Sequence, residues 1–422
     1  MMKSKREVVT SLLKSNKKVM ENYFFMTVLQ VLNSLFYIII YPYLIRTLGA
    51  NSYGLYVFAF SIVTYFITLI NFGFDLPGVK AIAENIDNRS EKEKVLSNIF
   101  TAKVYLAIVS FVLFLILIFA IPSLRENWEI FVICFGQSIT NILFPQWYFQ
   151  GIQRMRTVTF IQLAFKLLSL LFILMYIKNS NDIGIFTVII TVTSILGSIV
   201  AALIIRYKEG LKIYWSKIAD VKLQMKQALP FFGSNSIIVL KQQSATVLLG
   251  AFFSMKDVAL FDLAVKIYTV PTILIASINS ALFPKVVILQ NITSTIKKII
   301  KIENVIGFSI FLLLVIFGKW IVLVMGGESM LGSYPLLIIL GFGVFAQLTV
   351  GAICNFVFIP QNKNNYIVKD QIVAMIVFFV VALLGILFNL GVFVVPLALT
   401  LSLLSELIYT SNIIIKYKML RH

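Results

Sequence analysis

The sequence predicts an all-α integral membrane protein with twelve transmembrane helices in two six-helix lobes. Three observations carry that expectation. The 422-residue chain is 59% hydrophobic and only 13% charged, whereas soluble domains run at about 45–50% apolar and about 25% charged. Apolar stretches of the roughly 20 residues needed to cross about 30 Å of hydrocarbon recur along its whole length. Between them, Lys and Arg collect on alternate loops, as orientation by the positive-inside rule requires.

In chain order, a basic segment at 1–22 comes first, and Val8, Val9, Leu12, Leu13 and Met20 recur at helical spacing within 8–20. This cytoplasmic segment is expected to lie along the membrane interface. No short apolar stretch with a small-residue cleavage site follows it, so no removable signal peptide is read. Spans are expected at 23–46, 53–75, 95–120, 129–150, 157–177 and 183–205, making an N-lobe over 23–205. A cytoplasmic basic linker at 206–227 follows, and Tyr214, Ile218, Val221 and Met225 predict a second interfacial helix over 213–226. Spans resume at 228–253, 258–283, 303–325, 334–359, 367–389 and 392–415, making a C-lobe over 228–415 before a cytoplasmic tail at 416–422. Helices are expected because lipid offers backbone groups only internal partners, and the alternation of a β-barrel is absent.

The loops at 76–94, 151–156, 206–227, 284–302 and 360–369, together with both terminal segments, hold 27 basic residues. The opposite loops hold four: Arg46, Arg125, Lys178 and Lys256. Both termini are therefore expected in the cytoplasm, with an even number of crossings. The net charge of +18 then reflects topology and attraction to anionic inner-leaflet lipids, and nucleic acid is not implied. The single histidine is His422, and Cys134 and Cys354 sit far apart in apolar runs, so metal and redox centres have no support. The fragment Gly318-Lys319-Trp320 lacks the glycine spacing and hydroxyl of a P-loop. No cofactor is expected, and proton or sodium coupling is the driving force left open.

The longest basic loop divides the spans six and six. The stretch 54–62 of the second span resembles 259–267 of the eighth, which suggests two bundles repeated in the same orientation, related by a pseudo-two-fold along the membrane normal. Longer motifs carry a family resemblance. PYLIRTLGANSYGLY (Pro42–Tyr56), NFGFDLPGVKAIAEN (Asn71–Asn85), FPQWYFQGIQRM (Phe144–Met155) and FIPQNKNN (Phe358–Asn365) resemble the Wzx-type O-antigen and capsule flippases. These belong to the superfamily of multidrug, oligosaccharidyl-lipid and polysaccharide exporters. The resemblance implies two six-helix lobes around a central cavity, in the bacterial cytoplasmic (inner) membrane. The implied cargo is an undecaprenyl-pyrophosphate-linked oligosaccharide carried to the outer leaflet by alternating access. Membrane lipids and other polysaccharide-assembly proteins are the implied partners.

A flippase must carry diphosphate and sugars past hydrocarbon. Cations at mid-depth suit the diphosphate, while amides, hydroxyls and aromatic faces suit sugars. A mid-span Lys costs about 2.5–3.5 kcal/mol on insertion scales, so it faces a cavity or a partner. Lys241, beside Gln242, Gln243 and Ser244 in the seventh span, is the sharpest candidate for substrate binding, with Gln242 next to it. The alternative is a polar cluster satisfied by a neighbouring helix. Lys266 lies one turn from Asp262, and the pair reads either as self-neutralising or as an anion site whose acid takes a proton. Lys166, central in the fifth span, divides between the cavity and another helix. Arg46 divides between an outer-interface anchor and an exit-side phosphate contact. Lys103 and Lys319 near span ends are expected to snorkel. Asp262 and Glu406 are the acids read for ion coupling, Glu406 also reading as a helix-to-helix hydrogen bond. Pro42 is the candidate hinge, since it removes a backbone donor. The alternatives are a lipid II flippase, which generally has more than twelve helices and several cavity arginines, and an ion-coupled multidrug exporter. The latter is disfavoured by the absence of a first-span acid. A sugar polymerase or glycosyltransferase is less favoured because the outer loops are short.

Overall fold

The computed structural model describes residues 5–287 and 292–420. Among these residues there are α-helices and short 3-10 and π segments but no strand. The helices are α1 (Lys5–Asn71), α2 (Asp75–Glu84), α3 (Arg89–Ala120), α4 (Pro122–Arg125), α5 (Trp128–Phe135), α6 (Ser138–Leu143), α7 (Gln146–Gly151) and α8 (Met155–Tyr176). They continue as α9 (Ile183–Leu203), α10 (Ile218–Phe252), α11 (Met255–Val287), α12 (Ile292–Gly326), α13 (Ser333–Phe342), α14 (Val344–Ile353), α15 (Asn364–Leu387) and α16 (Val394–Lys416). The side chains of 8–20, where the first amphipathic stripe is expected, lie outside the described ones, as does His422.

Ten helical stretches among the described residues are long and apolar enough to cross a membrane, against the twelve expected. The difference has two sources. The first stretch, Phe24–Glu84, is 61 residues, which at 1.5 Å per residue is about 90 Å and far exceeds one crossing. It is interrupted at Gly49, whose φ of 75° and ψ of 163° lie in a region that only glycine adopts readily. Pro42, the expected hinge, sits inside α1 without breaking it; the interruption is seven residues later. The second source is α10, where Lys241, Gln242, Gln243 and Ser244 dilute the apolar run.

Contacts divide the chain into two compact units. One comprises the residues up to Asn33, Val63–Ile177 and Gly184–Asn235; the other comprises Ser34–Ile62, Lys178–Ile183 and the chain from Ser236 onward. The division differs from lobes over 23–205 and 228–415, because residues 34–62 go with the second half. Local contacts explain this. Gly54 lies so close to α11 that an added Cβ would fall 1.8 Å from the Met255 carbonyl oxygen. Nearby, the Tyr41 hydroxyl donates to the Ala259 carbonyl at 3.1 Å.

In the first unit, Phe74, Ile82, Leu96, Trp147, Tyr148 and Phe149 form a buried core joining α2, α3 and α7. The linker after α9 corrects the expected interfacial helix over 213–226, because residues 211–217 carry no regular secondary structure and the helix begins only at Ile218. The backbone N–H groups of Lys212, Tyr214 and Ser216 donate to Glu93, Ser97 and Thr101 on α3, at 3.0, 3.0 and 3.1 Å. Two extended residues rise about 6.6 Å and four helical residues about 6.0 Å. Alternate amides therefore meet every fourth side chain of α3, which outcompetes a free amphipathic helix. The Trp215 indole adds a side-chain contact to the same helix by donating to the Tyr105 hydroxyl at 3.0 Å.

The two halves share one local turn. After α7, Gln153 takes a φ of 55° and the Arg154 N–H reaches back to the Phe149 carbonyl at 2.8 Å. After α14 and its π-helical end, Asn362 takes a φ of 55° and the Lys363 N–H reaches the Phe358 carbonyl at 2.9 Å. These turns lie in the Phe144–Met155 and Phe358–Asn365 segments, each of which carries part of the family resemblance.

Candidate functional site

The second unit contains a cavity of about 430 Å³ walled by α1, α10, α11, α14 and α16. From α1 it takes Tyr53, Tyr56, Val57, Phe60 and Ser61, spaced by three and four residues on one helix face. From α10 come Gln242, Gln243 and Thr246, from α11 Asp262, Lys266 and Thr269, and from α14 Gln347. Two residues of the polar run that dilutes α10, Gln242 and Gln243, thus line this cavity. The Tyr56 and Phe60 rings lie parallel within 8°, with centroids 6.1 Å apart, a stack built by i,i+4 spacing.

Lys266 is the cation of the cavity. Its Nζ donates to Asp262 Oδ2 at 2.5 Å, and the Tyr53 hydroxyl donates to the same oxygen at 3.0 Å. Nζ also lies 5.8 Å from the ring centroids of both Tyr41 and Tyr53, which favours the ammonium by cation–π attraction. The two tyrosines meet edge to face at 5.1 Å. The Lys266 side chain keeps 20% of its surface accessible, so it is held by a carboxylate and two rings yet open to a guest.

Lys241, the sharpest sequence candidate, sits elsewhere. Its ammonium pairs with Glu406 of α16, and the two side chains are 8% and 6% exposed. It is absent from the cavity lining, whereas its neighbours Gln242 and Gln243 belong to it. The physical reason is rotation of about 100° per residue along α10: Gln242, Gln243 and Thr246 span the cavity-facing side, and Lys241, a further step round the helix, falls outside it. Lys241 and Glu406 therefore pair with each other in the packed interior and not at the wall of this cavity.

The remaining candidates are dispersed. Arg46 donates to the Val324 carbonyl at 3.3 Å, where it meets the last turn of α12 and complements the negative end of the helix dipole. Lys166 is half-buried on α8 in the first unit, outside the cavity. Lys103 does not snorkel: it is 3% exposed, and Nζ donates to Asn71 Oδ1 and the Asn141 carbonyl, both at 2.9 Å. Lys319 is exposed as expected. Sequence reasoning missed Asp370, which is fully buried on α15. Neither of its carboxylate oxygens meets a hydrogen-bond partner among the described residues, and Glu406 and Lys241 are the charges acting on it. Its signal was an acid one turn inside an apolar helix, obscured by placing it at the edge of a basic loop. No cluster suited to a metal ion occurs among the described residues.

With this geometry in place, the sequence profile of the polysaccharide biosynthesis protein family matches residues 19–290. The chain belongs to that family. The chain is 23% identical over 300 residues to a protein of Escherichia coli (strain K12) named as an O-antigen transporter, covering 69% of this chain and 72% of that one. Its fold is similar to that of an inward-facing multidrug resistance MATE family transporter of the MOP superfamily, with TM-score 0.65, 14% identity, and coverage of 93% and 95% of the two chains. It is also similar to the lipid II flippase MurJ in an inward closed conformation, with TM-score 0.62, 15% identity, and coverage of 94% and 86%. The family member therefore has the helical fold of MOP-superfamily transporters.

Proposed function

We propose that the protein is a flippase of the bacterial cytoplasmic membrane. It carries undecaprenyl-pyrophosphate-linked oligosaccharide from the cytoplasmic to the outer leaflet by alternating access. The observation that carries this reading is Lys266, a cation kept accessible in a cavity otherwise lined by aromatic rings, amides and hydroxyls. Diphosphate suits the ammonium, and sugars suit rings and amides. Division of α1 at Gly49 and inclusion of α10 support twelve crossings with both termini cytoplasmic. The O-antigen transporter name of the Escherichia coli relative points to the same cargo class.

Coupling to a proton is proposed at Lys241, Glu406 and Asp370. Two carboxylates and one ammonium in a dry interior leave one negative charge uncompensated, and an uncompensated buried charge is costly enough to recruit a counter-charge or a proton. Asp370, which meets no donor among the described residues, is the group proposed to take it.

The test is deletion of the gene in its host with analysis of lipid-linked intermediates. Accumulation of undecaprenyl-pyrophosphate oligosaccharide on the inner leaflet, corrected by the wild-type chain and not by Lys266→Gln at equal abundance, is the expected result. Altered polymer length alone would identify a polymerase, and drug sensitivity alone an exporter.

A further inference from the structure

The linker after α9 carries more positive charge than its neighbours neutralise. Residues 206–217 include Arg206, Lys208, Lys212 and Lys217, all exposed, and a single acid, Glu209. Glu209 pairs with Arg154, and Glu93, the acid of α3 that meets the linker backbone, pairs with Arg89. Lys212 and Lys217 make no ion pair among the described residues. The backbone is equally unfinished. The amides of Lys212, Tyr214 and Ser216 are bonded to α3, whereas those of Ile213 and Trp215 donate to nothing among the described residues. The side chains from Lys212 to Trp215 are exposed without a break, so both amides lie in a stretch open to its surroundings. An amide beside hydrocarbon is costly until it finds an acceptor.

Position names the acceptor. Trp215 is 56% exposed, and its ring meets Tyr105 of α3 edge to face at 5.2 Å. Such amphipathic rings favour the level of lipid head groups. From Tyr105 an exposed apolar row continues along α3 through Val109, Val112 and Ile116, spaced by three and four residues on one helix face. The rise from Tyr105 to Ile116 is about 16 Å, close to half of the hydrocarbon thickness of about 30 Å. An apolar row is ordinary on a lipid-facing helix; this one has two unpaired lysines and two unspent amides at its end. That is the layout of one phospholipid in one leaflet. A zwitterionic head group fits less well, because no acid lies between Glu209 and Asp220 to meet its amine.

We propose that residues 212–217 and the exposed face of α3 form a binding site for an anionic phospholipid of the phosphatidylglycerol class. Its phosphate accepts from the Ile213 and Trp215 amides between the Lys212 and Lys217 ammonium groups, and an acyl chain lies along Val109, Val112 and Ile116. The site differs from the general attraction of basic loops to anionic membranes, because particular amides and lysines make it. It does not depend on the cargo.

The experiment uses the full-length protein in nanodiscs of phosphatidylcholine with and without phosphatidylglycerol. Amide hydrogen exchange at Ile213 and Trp215 is expected to slow about tenfold when phosphatidylglycerol is present, with the α3-bonded amides of Tyr214 and Ser216 unchanged. Lys212→Gln with Lys217→Gln is expected to abolish the slowing. Lys222→Gln with Lys226→Gln removes as much charge from exposed positions of α10 and is expected to preserve it. In a chain carrying Trp128→Phe, Trp147→Phe and Trp320→Phe, brominated phosphatidylglycerol is expected to quench Trp215 fluorescence more strongly than brominated phosphatidylcholine at equal mole fraction. Exchange at Ile213 and Trp215 that is the same in both membranes overturns the proposal, as does equal quenching by the two lipids. Equal loss of protection in the two lysine pairs also overturns it, since diffuse surface charge would then account for the effect.

Discussion

Two lysines that look alike in sequence are held in opposite ways. Lys241 is sealed against Glu406, whereas Lys266 shares Asp262 with Tyr53 and remains open to a cavity. Removing one member of a buried ion pair strands the other charge at a cost of about 3–5 kcal/mol. Lys241→Ala is therefore expected to lower thermal stability in detergent, and Lys241→Met with Glu406→Met together to recover most of the loss. Lys266→Gln is expected to leave the melting temperature close to wild type and abolish polysaccharide export. Equal destabilisation by both single variants would remove the distinction. Lys103→Met leaves Asn71 Oδ1 and the Asn141 carbonyl without their donor, an expected loss of about 1–3 kcal/mol readable in the same melting assay. Spacing along the chain made the lysines conspicuous, but it carries no information on which helix face meets which neighbour. Gln242 fell on the cavity and Lys241 did not for that reason.

At the scale of elements, two devices position the site. The Gly49 break and the Gly54 contact let the second part of α1 lie against α11. Gly49→Ala is expected to cost about 1–3 kcal/mol in backbone strain. Gly54→Leu is expected to separate Tyr53 from Asp262 and abolish export, with the protein still inserted in the membrane. An unaffected Gly54→Leu would show that this contact does not build the site. The other device is the irregular segment 211–217 strapped along α3. Ser97→Ala with Thr101→Val removes two of its acceptors, and faster amide hydrogen exchange at Tyr214 and Ser216 is the expected readout. The apolar stretches of most helices were legible because membrane spans are long and uniformly apolar. The strap was not, because its residues carry an amphipathic stripe and only the matched rise along α3 makes the extended form preferable.

For the whole molecule, alternate loading of loops with basic residues sets the expected orientation. In a chain carrying Cys134→Ala and Cys354→Ala, a cysteine placed by Lys418→Cys is expected to react with an impermeant maleimide only after cells are opened. Lys178→Cys is expected to react in intact cells. Labelling of both from outside would break the even count of crossings. The family profile and the MOP-superfamily fold agree with the motifs at Pro42–Tyr56 and Phe144–Met155, and the segments Phe144–Met155 and Phe358–Asn365 each turn at a residue of positive φ, Gln153 and Asn362.

Composition and loop charge by themselves determined a multi-pass helical membrane protein, because transfer to hydrocarbon and the positive-inside bias act on residues one at a time. The Pro42–Tyr56 and Asn71–Asn85 stretches named the family for a related reason, since a local motif needs no knowledge of its neighbours. Only the tertiary structure decided that residues 34–62 join the second half, that Lys266 faces a cavity and that Asp370 stands beside the Lys241 pair. Each of those outcomes depends on helix rotation and on contacts between residues more than two hundred positions apart, as from Tyr53 to Asp262, and no periodicity along a single helix encodes them.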